Sequence, residues 1–437
     1  MTRLLAALAR RLPFFYGWVI VGCAFVVMAV GVSARTAFSL LLPPIVEEFG
    51  WTRATVSGAF SFGFFLFAAV SPLIGRAMDR WGPTFVVGLG VAMVAGGNLL
   101  APYLSEPWHL YLTLGLLVGA GANLTGYTGQ SLYVPLWFQK RRGLAISIAF
   151  SGVGVGAIVL LPWMQTIILA EGWRAACQAM ALVMIVVVAP LTLLLRRRPE
   201  DLGLQPDGAV GDGAAGAARR AAAIVDQAWA ATEWTLRRAL RTARFWWLSL
   251  GLFGSLFIWY MVQVHQTKYL TEIGFDPATA AWALGFVSIV GIPGQILLGG
   301  LSDRIGREWI WTAGAGGFCA SYLCLIAMEH LPSPVLLWAM VFAQGFFGYA
   351  MTSVLAPIVS EIFEGPHYGA IFGSLTVSAI AGGAAGPWIA GAIHDATGSY
   401  AIAFWLAAGL SVVSAVAIWM AAPRKVRLVP GRMRADA

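Results

Sequence analysis

Apolar residues fill runs of about 20 along nearly the whole chain, the length of α-helix that crosses the hydrocarbon core of a bilayer. The runs fall at 15–40, 54–77, 83–104, 108–137, 143–169 and 174–195, and resume at 244–268, 279–302, 309–328, 334–361, 367–393 and 399–421. This pattern predicts an all-α membrane protein of twelve transmembrane helices, six on each side of a polar break. The corresponding domains are a six-helix bundle at 1–198, a cytoplasmic linker at 199–243, and a second bundle with its tail at 244–437. Within the linker, 199–218 is rich in Gly, Ala and Asp and predicts a flexible tether. Residues 219–242 set Ile224, Trp234 and Leu240 among Arg and polar residues, predicting an amphipathic helix along the membrane surface, although a plain solvated tether fits as well.

The two halves repeat one another. Gly75-Arg76-Ala77-Met78-Asp79-Arg80-Trp81-Gly82 reads G-x-x-x-D-R-x-G, and so does Gly299-Gly300-Leu301-Ser302-Asp303-Arg304-Ile305-Gly306, 224 positions later. Gly-rich spans ending in Pro162-Trp163 and Pro387-Trp388 repeat at an offset of 225. A charged turn recurring half a chain apart marks two pseudo-symmetric six-helix bundles, a construction that secondary transporters use.

Composition agrees: 59% of residues are hydrophobic and 11% charged, with mean hydropathy +0.77, against about 25% charged in soluble proteins. The net charge of +8 comes without the basic stripe and interleaved aromatics that nucleic-acid binding needs. Of the 28 Lys and Arg residues, 24 fall on one side of the predicted spans, which places both termini in the cytoplasm of a multi-pass inner-membrane protein. Arg3, Arg10 and Arg11 precede an apolar run too long for a signal peptide, so the run is read as a retained first helix. Cys23, Cys177, Cys319 and Cys324 lie in apolar segments without ligand spacing and are read as packing residues. No H-x-x-x-H, G-x-S-x-G or acidic metal cluster sits at a membrane face, so neither an enzyme nor a cofactor is expected.

The duplicated motif resembles the signature of the major facilitator superfamily, over about residues 15–421. The resemblance implies two bundles rocking around a central site. Further strings resemble the monocarboxylate transporter and oxalate–formate antiporter group: Glu47-Glu48-Phe49-Gly50-Trp51-Thr52-Arg53, Trp137-Phe138-Gln139-Lys140-Arg141-Arg142-Gly143-Leu144-Ala145, and Val264-His265 with Gly274 and Ala280-Ala281. Gly119-Ala120-Gly121-Ala122-Asn123 lacks the basic residue of drug exporters on the fourth helix. One departure stands out: eight residues before Asp303, where that group places an Arg for the substrate carboxylate, this chain has Gln295.

Arg35, a charge inside the first span, is the first candidate for substrate contact, since intramembrane charges are costly and usually face a cavity or partner. The resemblance supports it as an anion anchor; the competing reading is an Arg snorkelling to headgroups. Asn123, Tyr127 and Gln130 stand at i, i+4 and i+7, one face of a helix, to line a cavity or bind neighbouring helices. Ser288, Ile292 and Gln295 repeat that spacing on the eighth helix. His265 either titrates in a transport cycle or serves as a hydrogen-bonded interface residue. Gln344 and Tyr349 on the tenth helix, and Trp163 and Gln165 on the fifth, complete the set. Asp79, Arg80, Asp303 and Arg304 are expected to act in gating, by ion pairing or by capping a neighbouring helix N-terminus, with Glu361 joining them.

The expected function is secondary active transport of a small organic anion, a carboxylate, by a monomer using alternating access, driven by protons or by anion exchange. The missing Arg leaves a neutral or larger solute as the alternative, and a non-transporting membrane sensor as another.

Overall fold

The computed structural model describes residues 2–51, 53–208 and 221–432. Among these, every regular element is helical apart from an isolated bridge pairing Ile224 with Arg427. Ten helices among the described residues are long and apolar enough to cross a membrane. The first span joins α1 (Gly17–Thr36) to α2 (Phe38–Phe49). The two spans missing from the expected twelve are the second and the fourth. The second runs into the third as one helix, α3 (Arg53–Leu100), where Gly82 leaves helical geometry at φ 75°, ψ 177°. The fourth is divided into a π-helical stretch, Tyr111–Ala120, followed by α4 (Gly121–Thr125) and α5 (Tyr127–Ser131). Then come α6 (Arg142–Glu171) and α7 (Trp173–Val183).

By contact the chain forms two compact units: Met1–Gln139 with Ile148–Gly211, and Lys140–Ser147 with Asp212–Ala437. Lys140–Ser147 groups with the second unit although α6 continues into the first. In unit 1, Gly152 and Gly156 of α6 lie against the Phe25 and Ala29 carbonyls of α1, and a β-carbon on either would overlap that oxygen.

Unit 2 contains α8 (Gln227–Ala231), α9 (Leu236–Ala239), α10 (Ala243–Glu272), α11 (Pro277–Ile305), α12 (Arg307–His330), α13 (Pro334–Phe342), α14 (Ala350–Ile362), α15 (Tyr368–Thr397) and α16 (Ala401–Ala421). Here Gly382 and Gly386 of α15 meet the Phe253 and Phe257 carbonyls of α10 in the same way. In lipid no hydrophobic force drives helices together, and small residues four apart let backbones approach. The Gly-rich spans before each Pro-Trp pair are therefore helix–helix seams.

The amphipathic helix expected at 219–242 is replaced, within the described residues, by the two short helices α8 and α9. Each has its own cap: Asp226 accepts from the Trp229 N–H, and Thr235 from the Arg238 N–H. Trp229 stacks near Trp234 (centroids 4.2 Å) and donates its indole N–H to the Ile362 carbonyl at 2.8 Å. The aromatic face is thus taken up by unit 2. The tail closes on the same segment, with the Val225 N–H donating to Val426 at 2.9 Å and the Leu428 N–H to Ala223 at 2.8 Å. Of the expected tether, 199–208 forms two 3₁₀ turns, with the Asp207 carboxylate accepting the Gln139 N–H at 3.0 Å; 209–218 lies outside the described residues.

Gly382→Val is expected to cost about 1–3 kcal/mol by overpacking the seam and to lower the thermal midpoint of the purified protein. Gly409→Ala, with no heavy atom within 4 Å of the added carbon, is expected to leave the midpoint unchanged or raise it. Equal midpoints for the two variants would contradict the seam.

Candidate functional site

In unit 1 the site begins with a broken helix. Gly126, at φ −92° and ψ −154°, interrupts the fourth span between α4 and α5. Asn123, Tyr127 and Gln130 consequently do not share one continuous helical face as their spacing predicts. The carbonyls released by the break find side chains instead. Thr125 Oγ1 donates to Ala122 at 3.2 Å, and Gln130 Nε2 donates to Thr125 at 2.9 Å. Gln130 is completely buried and accepts from the Tyr133 hydroxyl with its other end. Irregular backbone at membrane depth survives only where such groups satisfy it.

Arg35 stands in the last turn of α1, where a cation complements the helix dipole. One turn earlier Gly31 lets Thr125 approach, since a β-carbon there would overlap the Thr125 hydroxyl. This close seam brings Arg35 to the broken helix. Its Nη1 donates to Asn123 Oδ1 at 3.1 Å, and Asn123 Nδ2 donates to the Gly119 carbonyl at 2.9 Å. The amide is thereby oriented with its oxygen toward the guanidinium. Both residues are half-buried. Tyr127, half-buried as well, meets Phe150 edge-on at 5.0 Å. The structure therefore brings Arg35 and Asn123 together and turns Gln130 into the protein.

In unit 2 a second polar cluster joins α10, α11 and α14. Gln295 is buried and donates to Thr352 Oγ1 at 2.6 Å. Tyr349, at the N-terminus of α14, packs against Trp259 with centroids 4.4 Å apart and planes at 44°, and its hydroxyl lies 3.4 Å from Ser288 Oγ. Trp259 donates to Gln263 Oε1 at 2.8 Å. Sequence reasoning missed Trp259, Gln263 and Thr352; the i, i+4 pairing of an indole with an amide on an apolar helix is the signal that was available. Gln344 is buried on the π-helical stretch Ala343–Gly348, and its amide oxygen has no partner among the described residues. His265 stands apart from this cluster, bonded to the Pro387 carbonyl and to Tyr400.

The duplicated motif builds different contacts in the two units. In unit 1 Asp79 pairs with Arg197 at 2.6 Å, and Arg197 also donates to the Asp79 carbonyl. Burial pulls the Arg197 guanidinium below the usual arginine range while Asp79 opposes the shift. Arg80 is exposed, over the Trp81 ring at 5.7 Å.

In unit 2 Asp303 accepts the Gly143 and Leu144 N–H groups at 3.0 and 3.2 Å, capping the first turn of α6. It also pairs with Arg307 at 2.7 Å, and Arg307 reaches Glu361 at 2.9 Å. Arg307 is almost fully buried, whereas Arg304 is exposed. The helix breaks between Asp303 and Arg307 at Gly306 (φ 113°, ψ 152°), so Arg307 at the start of α12 reaches Asp303 at the end of α11 across that turn. Around this core, Glu364 joins Arg142 at 3.6 Å to Arg427 of the tail. Burial, helped by Arg142, lowers Arg427 to about 10, so it remains a cation at neutral pH. The glycine closing each motif has positive φ, 75° at Gly82 and 113° at Gly306, which residues with a β-carbon rarely adopt.

Comparison with known proteins agrees with this architecture. The family model of the Major Facilitator Superfamily matches residues 21–341 and again 266–435. Monocarboxylate transporter 13 of Bos taurus is 27% identical over 397 residues, covering 90% of this chain and 86% of the relative. Monocarboxylate transporter 12 of Homo sapiens is 24% identical over 439 residues, covering 93% and 80%. Among solved structures, the proton:xylose symporter XylE bound to 6-bromo-6-deoxy-D-glucose aligns at TM-score 0.73 and 14% identity, covering 93% of this chain and 95% of that one. The human organic anion transporter MFSD10 aligns at TM-score 0.69 and 16% identity, covering 92% and 99%. The chain is a multi-pass membrane protein and belongs to the major facilitator superfamily.

Proposed function

We propose that the protein is a secondary active transporter that moves a small organic anion, a carboxylate, across the cytoplasmic membrane by alternating access. The observation carrying this reading is Arg35, a guanidinium within a membrane span, set beside an oriented amide at a broken helix. A guanidinium presents donors in a planar fork matching a carboxylate, and Asn123 adds a polar neighbour. The names of the monocarboxylate transporters and of the organic anion transporter among the similar proteins favour the same solute class. Energy comes from a proton gradient or from exchange against a second anion. The distribution of Lys and Arg supports cytoplasmic termini.

A neutral solute is the second reading. The Trp259–Gln263–Tyr349–Gln295 cluster of unit 2 is aromatic and amide-rich, without a charged member, and suits hydroxyl-bearing solutes. A non-transporting sensor predicts ligand binding without flux.

In this reading Asp303, Arg307 and Glu361 hold the start of α6 in one state, and Asp303 releases the Gly143 and Leu144 amides in the other. Asp79 and Arg197 serve the corresponding turn of unit 1, while Arg80 and Arg304 contribute surface charge.

Two experiments on proteoliposomes test these roles. With a panel of labelled carboxylates, Arg35→Gln is expected to reduce uptake at least about tenfold, the scale of one lost charge-assisted bond, with Arg35→Lys intermediate. Wild-type uptake of every transported carboxylate by Arg35→Gln would contradict the anchor. For the gate, Arg307→Ala is expected to cost about 3–5 kcal/mol of stability through the carboxylates left buried and to abolish exchange, whereas Arg304→Ala stays near wild type. A larger loss for Arg304→Ala would contradict the assignment.

A further inference from the structure

Of the five histidines in the chain, two meet at one tyrosine near the C-terminal ends of α10 and α15. His265 Nε2 lies 3.0 Å from the Pro387 carbonyl oxygen. A carbonyl only accepts, so Nε2 carries the hydrogen and the basic lone pair of the neutral ring is on Nδ1. Nδ1 is 3.1 Å from the Tyr400 hydroxyl, which therefore donates to it. The ring of Tyr400 also stacks on His394, with centroids 4.3 Å apart and planes at 28°. His394 Nε2 is 3.7 Å from Glu272, and its Nδ1 is 3.9 Å from Asp395. Lys268 lies 3.6 Å from Glu272 on α10. Tyr269 packs edge-on to Tyr400 at 5.9 Å and donates to Leu325 of α12, the helix that carries Glu329. These are the titratable and charged groups facing the pair from α10, α12, α15 and α16.

We propose that His265, Tyr400 and His394 form a proton-binding site whose two imidazoles compete for one proton. His394 has two carboxylates within 4 Å. His265 has a carbonyl and a phenol instead. Two cations on either side of one tyrosine repel, so the histidines titrate as a pair. When the proton is on Nδ1 of His265, the Tyr400 hydroxyl rotates to accept it and Nε2 keeps its bond to Pro387. Both bonds are then charge-assisted and stronger, which tightens α10 against α15 and α16. If the transport reading holds, this site binds the driving ion; that consequence alone rests on that reading, because proton binding is measured without flux.

The test is nitrogen NMR of the full chain, labelled at histidine and embedded in lipid nanodiscs, titrated from about pH 5 to 8. At high pH His265 is expected as the Nε2–H tautomer. His394→Asn, a change at a partly exposed side chain, is expected to raise the His265 midpoint by at least about half a unit as the repulsion disappears. Tyr400→Phe removes the Nδ1 partner while keeping the stacked ring, and is expected to shift the His265 midpoint and leave His109 and His330 unmoved. An Nδ1–H tautomer, a His265 midpoint unaffected by His394→Asn, or a His265 that stays neutral throughout would overturn the proposal.

Discussion

A polar group left unmatched in hydrocarbon is costly, and the main local features of this protein follow from that constraint. Arg307 shows it through its Nε and Nη1, although its Nη2 has no hydrogen-bond partner among the described residues. Almost fully buried, it is held by Asp303, Glu361 and the Ser302 hydroxyl. Removing one partner of a buried ion pair is far more costly than the net value of the pair, so these residues stand or fall together. The broken fourth span obeys the same rule by different means, with Thr125 and Gln130 repairing the carbonyls that Gly126 releases. A helix can be interrupted beside Arg35 only because these neutral side chains complete it.

The duplicated motif is one device adapted twice. Its final glycine supplies the positive φ in both copies, and its aspartate takes a guanidinium in both. The guanidinium comes from different places, the next helix for Asp303 and a residue 118 positions away for Asp79. In unit 2 Gly143 and Gly299 also let backbone meet backbone, so that Asp303 reaches the first amides of α6. The linker and tail add a second layer there, with Arg427 and Arg142 sharing Glu364.

The architecture was legible in the sequence because bilayer thickness writes itself as span length and the duplication as a repeated motif. The limits were local. Gly126 is one of 51 glycines and nothing in its neighbours marks it as a break, so the face drawn through Asn123, Tyr127 and Gln130 failed at that residue. Asp303 takes its guanidinium from Arg307, one residue beyond the motif and across the Gly306 turn that ends α11, a contact that depends on the turn geometry. The apolar residues at 219–242 are divided between two short helices, and Trp229 and Trp234 pack on Phe363. Trp259 and Gln263 were missed because an indole in an apolar helix looks like packing until Tyr349 is placed against it.

The central claim is that charge, supplied by Arg35, selects the solute. Varying the ligand instead of the protein tests it most directly. The purified protein is screened for thermal stabilisation by small carboxylates, each paired with its neutral amide of the same shape, since binding to the folded state raises apparent stability. The account predicts carboxylates that raise the unfolding temperature in a concentration-dependent way while their amides do not. Amides that stabilise as well as the acids would contradict it and favour the neutral-solute reading.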